Sequence, residues 1–442
     1  MKFHPSLGVA ATLLCSLCAS CAGGSANQER PNLLVIVVDT LRRDHLEPYG
    51  YSERPTTPRL SKFAQESLVV RGLTSVSSWT QPSMATLFTG LTPADHDVLR
   101  LFDRLREPNT LAFALQSEGY ATACVMSNFL LQGTWRGLPT GYARGFDEYD
   151  AEVAAKPAPH SESTAHRITA KGLRWLKKAP QDRPWFMLLH YFDPHVVYEA
   201  HPAYGFSDET YEGWVRAGLS SKELRAGQST ASDADRAQLA AFYDGEIRAV
   251  DDALGTLLDA LQKRPDWKDT IVVFTADHGE ELAERGTIGH TVSLHFEQID
   301  LPLVVKLPGS RRGGETLDAR VPQEGLFATL LELCGASVPE GRGESFAALL
   351  TGDETVSDRP CFSEVDFQPA NVQYSEKVTR MRSVIAQGFK LMRDLEHRKV
   401  YLYDLERDPE EYANVAEQPE HADVRAELTR MMRERRWAER RR

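Results

Sequence analysis

Four runs of unbroken apolar residues, each ending on an acidic, amide or imidazole side chain, restrict what this chain can fold into more than anything else in it. NLLVIVV (32–38) ends at Asp39, YATACVM (120–126) at Ser127 and Asn128, WFMLLHYF (185–192) at Asp193 and His195, and TIVVFTA (270–276) at Asp277 and His278. A strand without polar alternation is covered on both faces, which suits the middle of a mainly parallel sheet. Stretches 58–67, 83–89, 108–118, 161–178 and 233–263 are predicted helices. The last carries Leu239, Val250, Leu254, Leu257 and Leu261 along one stripe. Strands alternating with helices predict an α/β fold, a large mostly parallel sheet covered by helices. Ligands in such sheets bind beyond the carboxyl ends of the strands. One polar residue after a strand is ordinarily a turn; four strand ends of this kind predict one shared site.

From residue 360 the texture changes to CFSEVDF, TRMRSVIAQ, GFKLMRD and KVYLYDL, predicted as a small antiparallel sheet, with a basic helix over 424–442. The expected division is a signal and tether over 1–27, an α/β catalytic domain over 28–345 and a C-terminal subdomain over 346–442. Segments 151–160 and 205–232 read as loops, the second as a lid beside a site. The first 27 residues have a short apolar run, Leu7 to Ala19, before Ser20 and Cys21. That is a secretory signal, too short to span a bilayer. It resembles a bacterial lipoprotein signal in which Cys21 takes the lipid, although Cys18 stands where Leu is usual. The expected location is therefore the cell envelope, periplasmic or otherwise outside the cytoplasm, with the protein anchored to the membrane through Cys21. A formal charge of -12 argues against nucleic acid as a partner. An anionic substrate stays open, because a metal ion reverses the local field. Cys124, Cys334 and Cys361 are too few for a disulfide framework, with room for one bridge between Cys334 and Cys361. Cys124 reads as a buried small residue.

The stretch SSWTQPSMATLFTG (77–90) opens a helix at Pro82. Thr80 there is either an N-cap or a nucleophile, and a Thr hydroxyl needs activation, for instance by a metal. Asp39, Asp277 and His278 are the groups available to hold that metal; each also has a local reading as a turn residue. His195 and His290 are candidates for binding an ester anion, protonating a leaving group or holding a second ion. His201 and His295 are weaker candidates. His190, inside a strand run, reads as a satisfied interior histidine, and His96 as an orienter of the loop beyond the helix. His4, His45, His160 and His166 read as structural or exposed.

With those residues in place, the chain resembles the sulfatase family of the alkaline phosphatase superfamily. The resemblance rests on the ordered set NLLVIVVDTLRRDHLEPYGY (32–51), SWTQPSMATLFTG (78–90), YFDPHVVY (191–198), VVFTADHGEEL (272–282), IGHTVSLHFEQIDLPLVVKLPG (288–309) and YLYDLERDPEEYANVA (401–416). It implies a hydrolase with an alkaline phosphatase-like α/β domain and a small C-terminal sheet and helix. The departures matter as much. The family's formylglycine motif is C/S-x-P-S-R; here Thr80 holds the first position and Met84 the last, so formylglycine cannot form. Thr40 stands where a second aspartate is usual, and His278 where an amide is usual. Exchanging a carboxylate for an imidazole shifts the expected ion from Ca²⁺ toward Zn²⁺ or Mn²⁺. The implied metal ligands are Asp39, Thr80, Asp277 and His278, for one ion. A second site of Asp193, His195 and His290 is the alternative. The implied activity is metal-dependent hydrolysis or transfer of a phosphate or related anionic ester through a covalent Thr80 ester, with His195 and His290 assisting. The competing readings are a sulfuric ester hydrolase using unmodified Thr80 and a catalytically inactive surface binding lipoprotein.

Overall fold

Apolar strands that lack alternation must be covered on both faces, and eight strands meet that need together. The computed structural model describes residues 30–155, 164–354, 359–367 and 378–439. In chain order the eight are β1 (Asn32–Val38), β2 (Leu68–Thr74), β3 (Ala121–Val125), β4 (Glu148–Asp150), β5 (Trp185–Tyr191), β6 (Thr270–Ala276), β7 (Asp300–Lys306) and β8 (Thr316–Pro322). They lie side by side as β8-β2-β7-β6-β1-β5-β3-β4. β1 pairs in parallel with both β5 and β6, so the three strands that end in Asp39, Asp193 and Asp277 are adjacent. β7 alone runs against its neighbours, β6 and β2. The fold is thus the mostly parallel, helix-covered sheet expected from the sequence. β2, β4, β7 and β8 were not legible as strands: LVVRGLT is interrupted by Arg71 and Gly72, and DLPLVVK by Pro302.

Helices α1 (Pro58–Ala64), α2 (Thr80–Thr89), α3 (Leu111–Ser117), α4 (Ala165–Leu176), α5 (Ser221–Gly227), α6 (Asp233–Leu261) and α7 (Leu326–Leu333) cover the sheet or lie at its margins. α6 begins with a reciprocal capping box between Ser232 and Asp235. It buries Leu239, Val250, Leu254, Leu257 and Leu261, the stripe seen in the sequence. The segment 205–232 is not all loop, since it contains α5. α2 begins at Thr80 rather than near residue 83, so Trp79 is the N-cap and its side chain makes no capping bond.

Strands β9 (Cys361–Phe367), β10 (Thr379–Ala386), β11 (Phe389–Asp394) and β12 (Lys399–Asp404) form the antiparallel sheet, in that order. Helix α8 (Ala422–Glu434) packs Leu428 and Met432 against Val384, Leu391 and Leu402 of that sheet. Cys124, Cys334 and Cys361 are buried and free, so the Cys334–Cys361 bridge does not form. Cys334 instead fills apolar space, as thiols commonly do, and the Cys361 thiol donates to the Arg359 carbonyl at 3.4 Å. Residues 1–27, read from the sequence as a signal and tether and including His4 and Cys21, lie outside the described residues, as does His160. No helix among the described residues is long and apolar enough to cross a membrane.

Candidate active site

β1 and β6 are in register, Val38 opposite Ala276, so Asp39 and Asp277 leave the sheet at the same level. Both carboxylates have no exposure to solvent. Two buried carboxylates side by side are costly unless donors or a cation compensate them. Amides take part of that load: Thr40 N donates to Asp277 Oδ1 at 3.3 Å and His278 N at 2.8 Å. Asn128, at the end of β3, donates its amide to Asp39 Oδ2 at 2.6 Å. Asp39 Oδ1 and Asp277 Oδ2 find no partner. Burial, and then the Asp277 charge, push the Asp39 carboxyl well above the usual range. Thr40 reaches its place with φ +55, a strained backbone for a β-branched residue, and its own buried hydroxyl also lacks a partner.

His278 faces this pair. Its Nδ1 lies 2.9 Å from the Gly279 carbonyl, an acceptor, so the proton is assigned to Nδ1 and Nε2 presents its lone pair. Nε2 lies 3.2 Å from Thr80 Oγ1, 3.5 Å from Asp277 Oδ2 and 3.6 Å from Asp39 Oδ1. Gly279 is required beside it, since a Cβ there would come within 2.1 Å of the Glu297 carbonyl. The Thr80 hydroxyl therefore turns toward His278 instead of capping α2. The capping alternative is excluded by this geometry.

His190, read from the sequence as a satisfied interior histidine, is only half satisfied. Its Nδ1 donates to Ser127 Oγ at 3.1 Å, while Ser127 Oγ donates to the His190 carbonyl at 2.6 Å. Its Nε2 has no partner and lies 3.9 Å from Asp39 Oδ2. Asp39, His190 and Asp277 bring three ligand atoms within 4.8 Å of one another, a group fit to hold a metal ion. Orphaned carboxylate oxygens facing an imidazole lone pair are repulsive without a cation and complementary with one. The strand register, which the sequence alone does not show, sets His190 beside Val37, two residues before Asp39.

The other imidazoles form a row leading away from Thr80. The His290 ring lies 4.6 Å from that of His278 and 5.1 Å from that of His195. His290 Nδ1 donates to Glu280 Oε1 at 2.8 Å, and Tyr198 holds the other Glu280 oxygen at 2.7 Å. His195 Nδ1 donates to the Val196 carbonyl at 2.6 Å, and its ring stacks on Phe192. Burial, and then His290, lower His195 to about 4; burial, and then His278, hold His290 well below its ordinary value. Both rings are thus neutral at pH 7, each with Nε2 left to receive a proton. Glu280 and Tyr198 were not singled out in the sequence, since a Glu after His-Gly is an ordinary loop residue.

The alternative second metal group does not assemble. Asp193 Oδ2 instead accepts from Thr164 Oγ1 at 3.1 Å and from Ala165 N at 2.9 Å, at the start of α4. His201 and His295 are engaged by Glu246 at 3.2 Å and Glu411 at 3.3 Å, away from Thr80. His96 bonds Thr86 on α2 at 3.2 Å and Val98 N at 3.0 Å, the orienting role expected of it. His45 pairs with the buried Asp244, and His166 is exposed.

The sulfatase family model matches residues 31–336. The chain belongs to the sulfatase family. The model for the C-terminal region of N-sulphoglucosamine sulphohydrolase matches residues 292–438, the part that holds the small sheet. Among curated relatives, this sulfatase-family chain is 25% identical to the multifunctional alkaline phosphatase superfamily protein PehA of Trinickia caryophylli, covering 89% of this chain and 92% of that one. It is 24% identical to a Δ4,5-hexuronate-2-O-sulfatase of Bacteroides thetaiotaomicron, over 92% and 89% of the two chains. The fold is shared with the phosphonate monoester hydrolase of Agrobacterium radiobacter, with a TM-score of 0.73 and 23% identity over 91% of this chain and 95% of that one. The protein is a sulfatase-like ester hydrolase of the alkaline phosphatase superfamily. Enzymes of this family are metal-dependent, and Asp39, His190 and Asp277 form a group that could hold an ion here.

Proposed function

We propose that the protein hydrolyses, or transfers, a phosphate or related anionic ester, with unmodified Thr80 as the nucleophile. The observation that carries the reading is the 3.2 Å contact between Thr80 Oγ1 and the His278 Nε2 lone pair, made over two partnerless carboxylate oxygens. Asp39, Asp277, His278 and His190 would hold a divalent ion, and two imidazoles in that set favour Zn²⁺ or Mn²⁺ over Ca²⁺. When bound, the ion supplies positive charge that favours the Thr80 alkoxide and offsets the negative charge of the ester. Thr80 also stands in the first turn of α2, where unpaired amides and the helix dipole favour an anion.

Thr80 Oγ1, its proton released to solvent as the alkoxide forms, attacks phosphorus while the bond to the leaving-group oxygen breaks, leaving an ester on Thr80 that water or an acceptor alcohol then cleaves. His290 and His195 arrive neutral. An incoming anion raises their proton affinity, so the proton taken up with substrate passes to the leaving oxygen. Rapid quenching of the metal-loaded enzyme with 4-nitrophenyl phosphate, followed by peptide mass mapping, should find a phosphoryl group on Thr80. Turnover should fall at least about a thousandfold in Thr80→Ala, as for loss of a covalent nucleophile. Turnover that persists in Thr80→Ala would end this reading.

Hydrolysis of a sulfate ester by the same hydroxyl is the second reading, favoured by the sulfatase names among the relatives. Matched aryl sulfate and aryl phosphate assays decide the order. Faster turnover of the sulfate, lost in Thr80→Ala, would reverse it.

A further inference from the structure

Beside the row of imidazoles that starts at Thr80 lies a cation with no partner among the described residues. Arg225 lies on α5, in the stretch whose sequence shows no ligand pattern. Ser220 caps α5 through a capping box with Glu223, and Leu224 anchors the helix in the core. Just beyond α5, Gln228 accepts from Ile288 N at 2.9 Å, tying this segment to the loop that carries His290. Arg225 is thereby laid along Gly289: a Cβ on that glycine would lie 3.4 Å from Nη2 of Arg225 and 3.8 Å from Glu280 Oε1. Gly289 has φ +104, so the close approach and the backbone both select glycine there.

The guanidinium is half-buried, and it makes neither a hydrogen bond nor an ion pair among the described residues. Glu280 makes no direct ion pair with it; the partners of that carboxylate are Tyr198 and His290. Five donors in a fixed fork, part-desolvated and unpaired, are unusual for arginine; such side chains are ordinarily committed to carboxylate, phosphate or solvent. Burial lowers the guanidinium's proton affinity and Glu280 raises it, without removing its charge. His290 feels that charge, which adds to its depressed proton affinity.

We propose that Arg225 binds a second anionic group on the alcohol portion of the substrate, so that the preferred substrate is an ester of an acidic alcohol, such as a carboxylated ring. The inference rests on the Thr80 reading for the location of the transferred group. Thr80 contacts His278, His278 neighbours His290, and His290 feels the Arg225 charge, so Arg225 connects to Thr80 through two imidazoles. The fork is therefore beyond the transferred group and on the side where His290 meets the leaving oxygen. The match also fits the charge of the site: Asp39, Asp277 and Glu280 repel a substrate with an extra carboxylate unless a cation receives it.

The test compares binding and turnover. In calorimetric titrations of the metal-loaded protein, 4-carboxyphenylphosphonate should bind about tenfold to a hundredfold more tightly than phenylphosphonate, the range for a charge-assisted bond. Arg225→Gln should bring the affinity ratio of the two phosphonates to about one, whatever it does to both through His290, and Arg225→Lys should restore part of that ratio. With 4-carboxyphenyl phosphate and phenyl phosphate as substrates, Arg225→Gln should raise KM for the first more than for the second. Equal affinity for the two phosphonates in the wild type, no binding of either, or an equal loss on both in Arg225→Gln overturns the proposal. Selective phosphonate binding without any phosphate turnover overturns the phosphate-ester reading and leaves the anion site standing.

Discussion

At the residue scale, His190 changes the account of the metal group most. From the sequence it is one more residue in an apolar run, and apolar strands tolerate a histidine whose two nitrogens are satisfied. Its Nδ1 is satisfied by Ser127, but its Nε2 lone pair is aimed at Asp39. His190→Gln should therefore lower Zn²⁺ or Mn²⁺ affinity by at least about tenfold to a hundredfold, the scale on which even supporting partners of a metal act. Calorimetric titration measures this, and an unchanged affinity would make His190 structural after all. His190→Phe, which keeps the strand apolar, separates lost ligation from lost packing. Thr80, by contrast, is ambiguous in the sequence, since a hydroxyl before Pro fits an N-cap equally well. Only His278, distant in sequence, resolves it.

The element scale explains why His290 is where it is. The loop between β6 and β7 is pinned from the C-terminal sheet by Glu411, which accepts from Phe296 N at 2.8 Å and pairs with Lys390 Nζ at 2.6 Å on β11. Burial pushes the Glu411 carboxyl up, but Lys390 pulls it net down to about 2. Lys390→Met leaves a buried carboxylate unpaired and should cost roughly 3–5 kcal/mol of stability. Denaturant melts read the loss; Lys390→Met combined with Glu411→Gln should recover part of it. A loss below about 1 kcal/mol in the single variant would show the pair to be dispensable. These long-range pairings could not be read from the sequence. The strands that were legible were the ones with continuous apolarity and a polar terminus, and the C-terminal ones with short alternating runs. β2 and β7 were missed because Arg71 and Pro302 break the apolar pattern without breaking the pairing.

For the whole molecule, acid response is set by two opposing groups of buried side chains. His96 is lowered by burial to about 3, and its ordinary value is 6.5. Its contribution is complete above pH 6.5 and is lost as pH falls toward 3. Glu364, raised by burial to about 7 from 4.5, acts the other way: its contribution is complete below pH 4.5 and is lost as pH rises through 7. Each changes stability by up to about 1.4 kcal/mol per pH unit, so between pH 4.5 and 6.5 the two slopes cancel. Thermal melts of His96→Gln should gain stability on acidification across that window relative to wild type, and those of Glu364→Gln should lose it. Parallel profiles for both variants and the wild type would contradict the assignment. The reversed strand β7 has a different consequence. Because it returns beside β6, the chain that departs at Asp277 re-enters at Asp300, next to its point of departure. Asp277, His278, Glu280 and His290 therefore ride on one excursion whose two feet are fixed in neighbouring strands. Lineages can lengthen, shorten or rewrite that excursion without shifting any strand register, so diversity among descendants should concentrate there and spare the sheet.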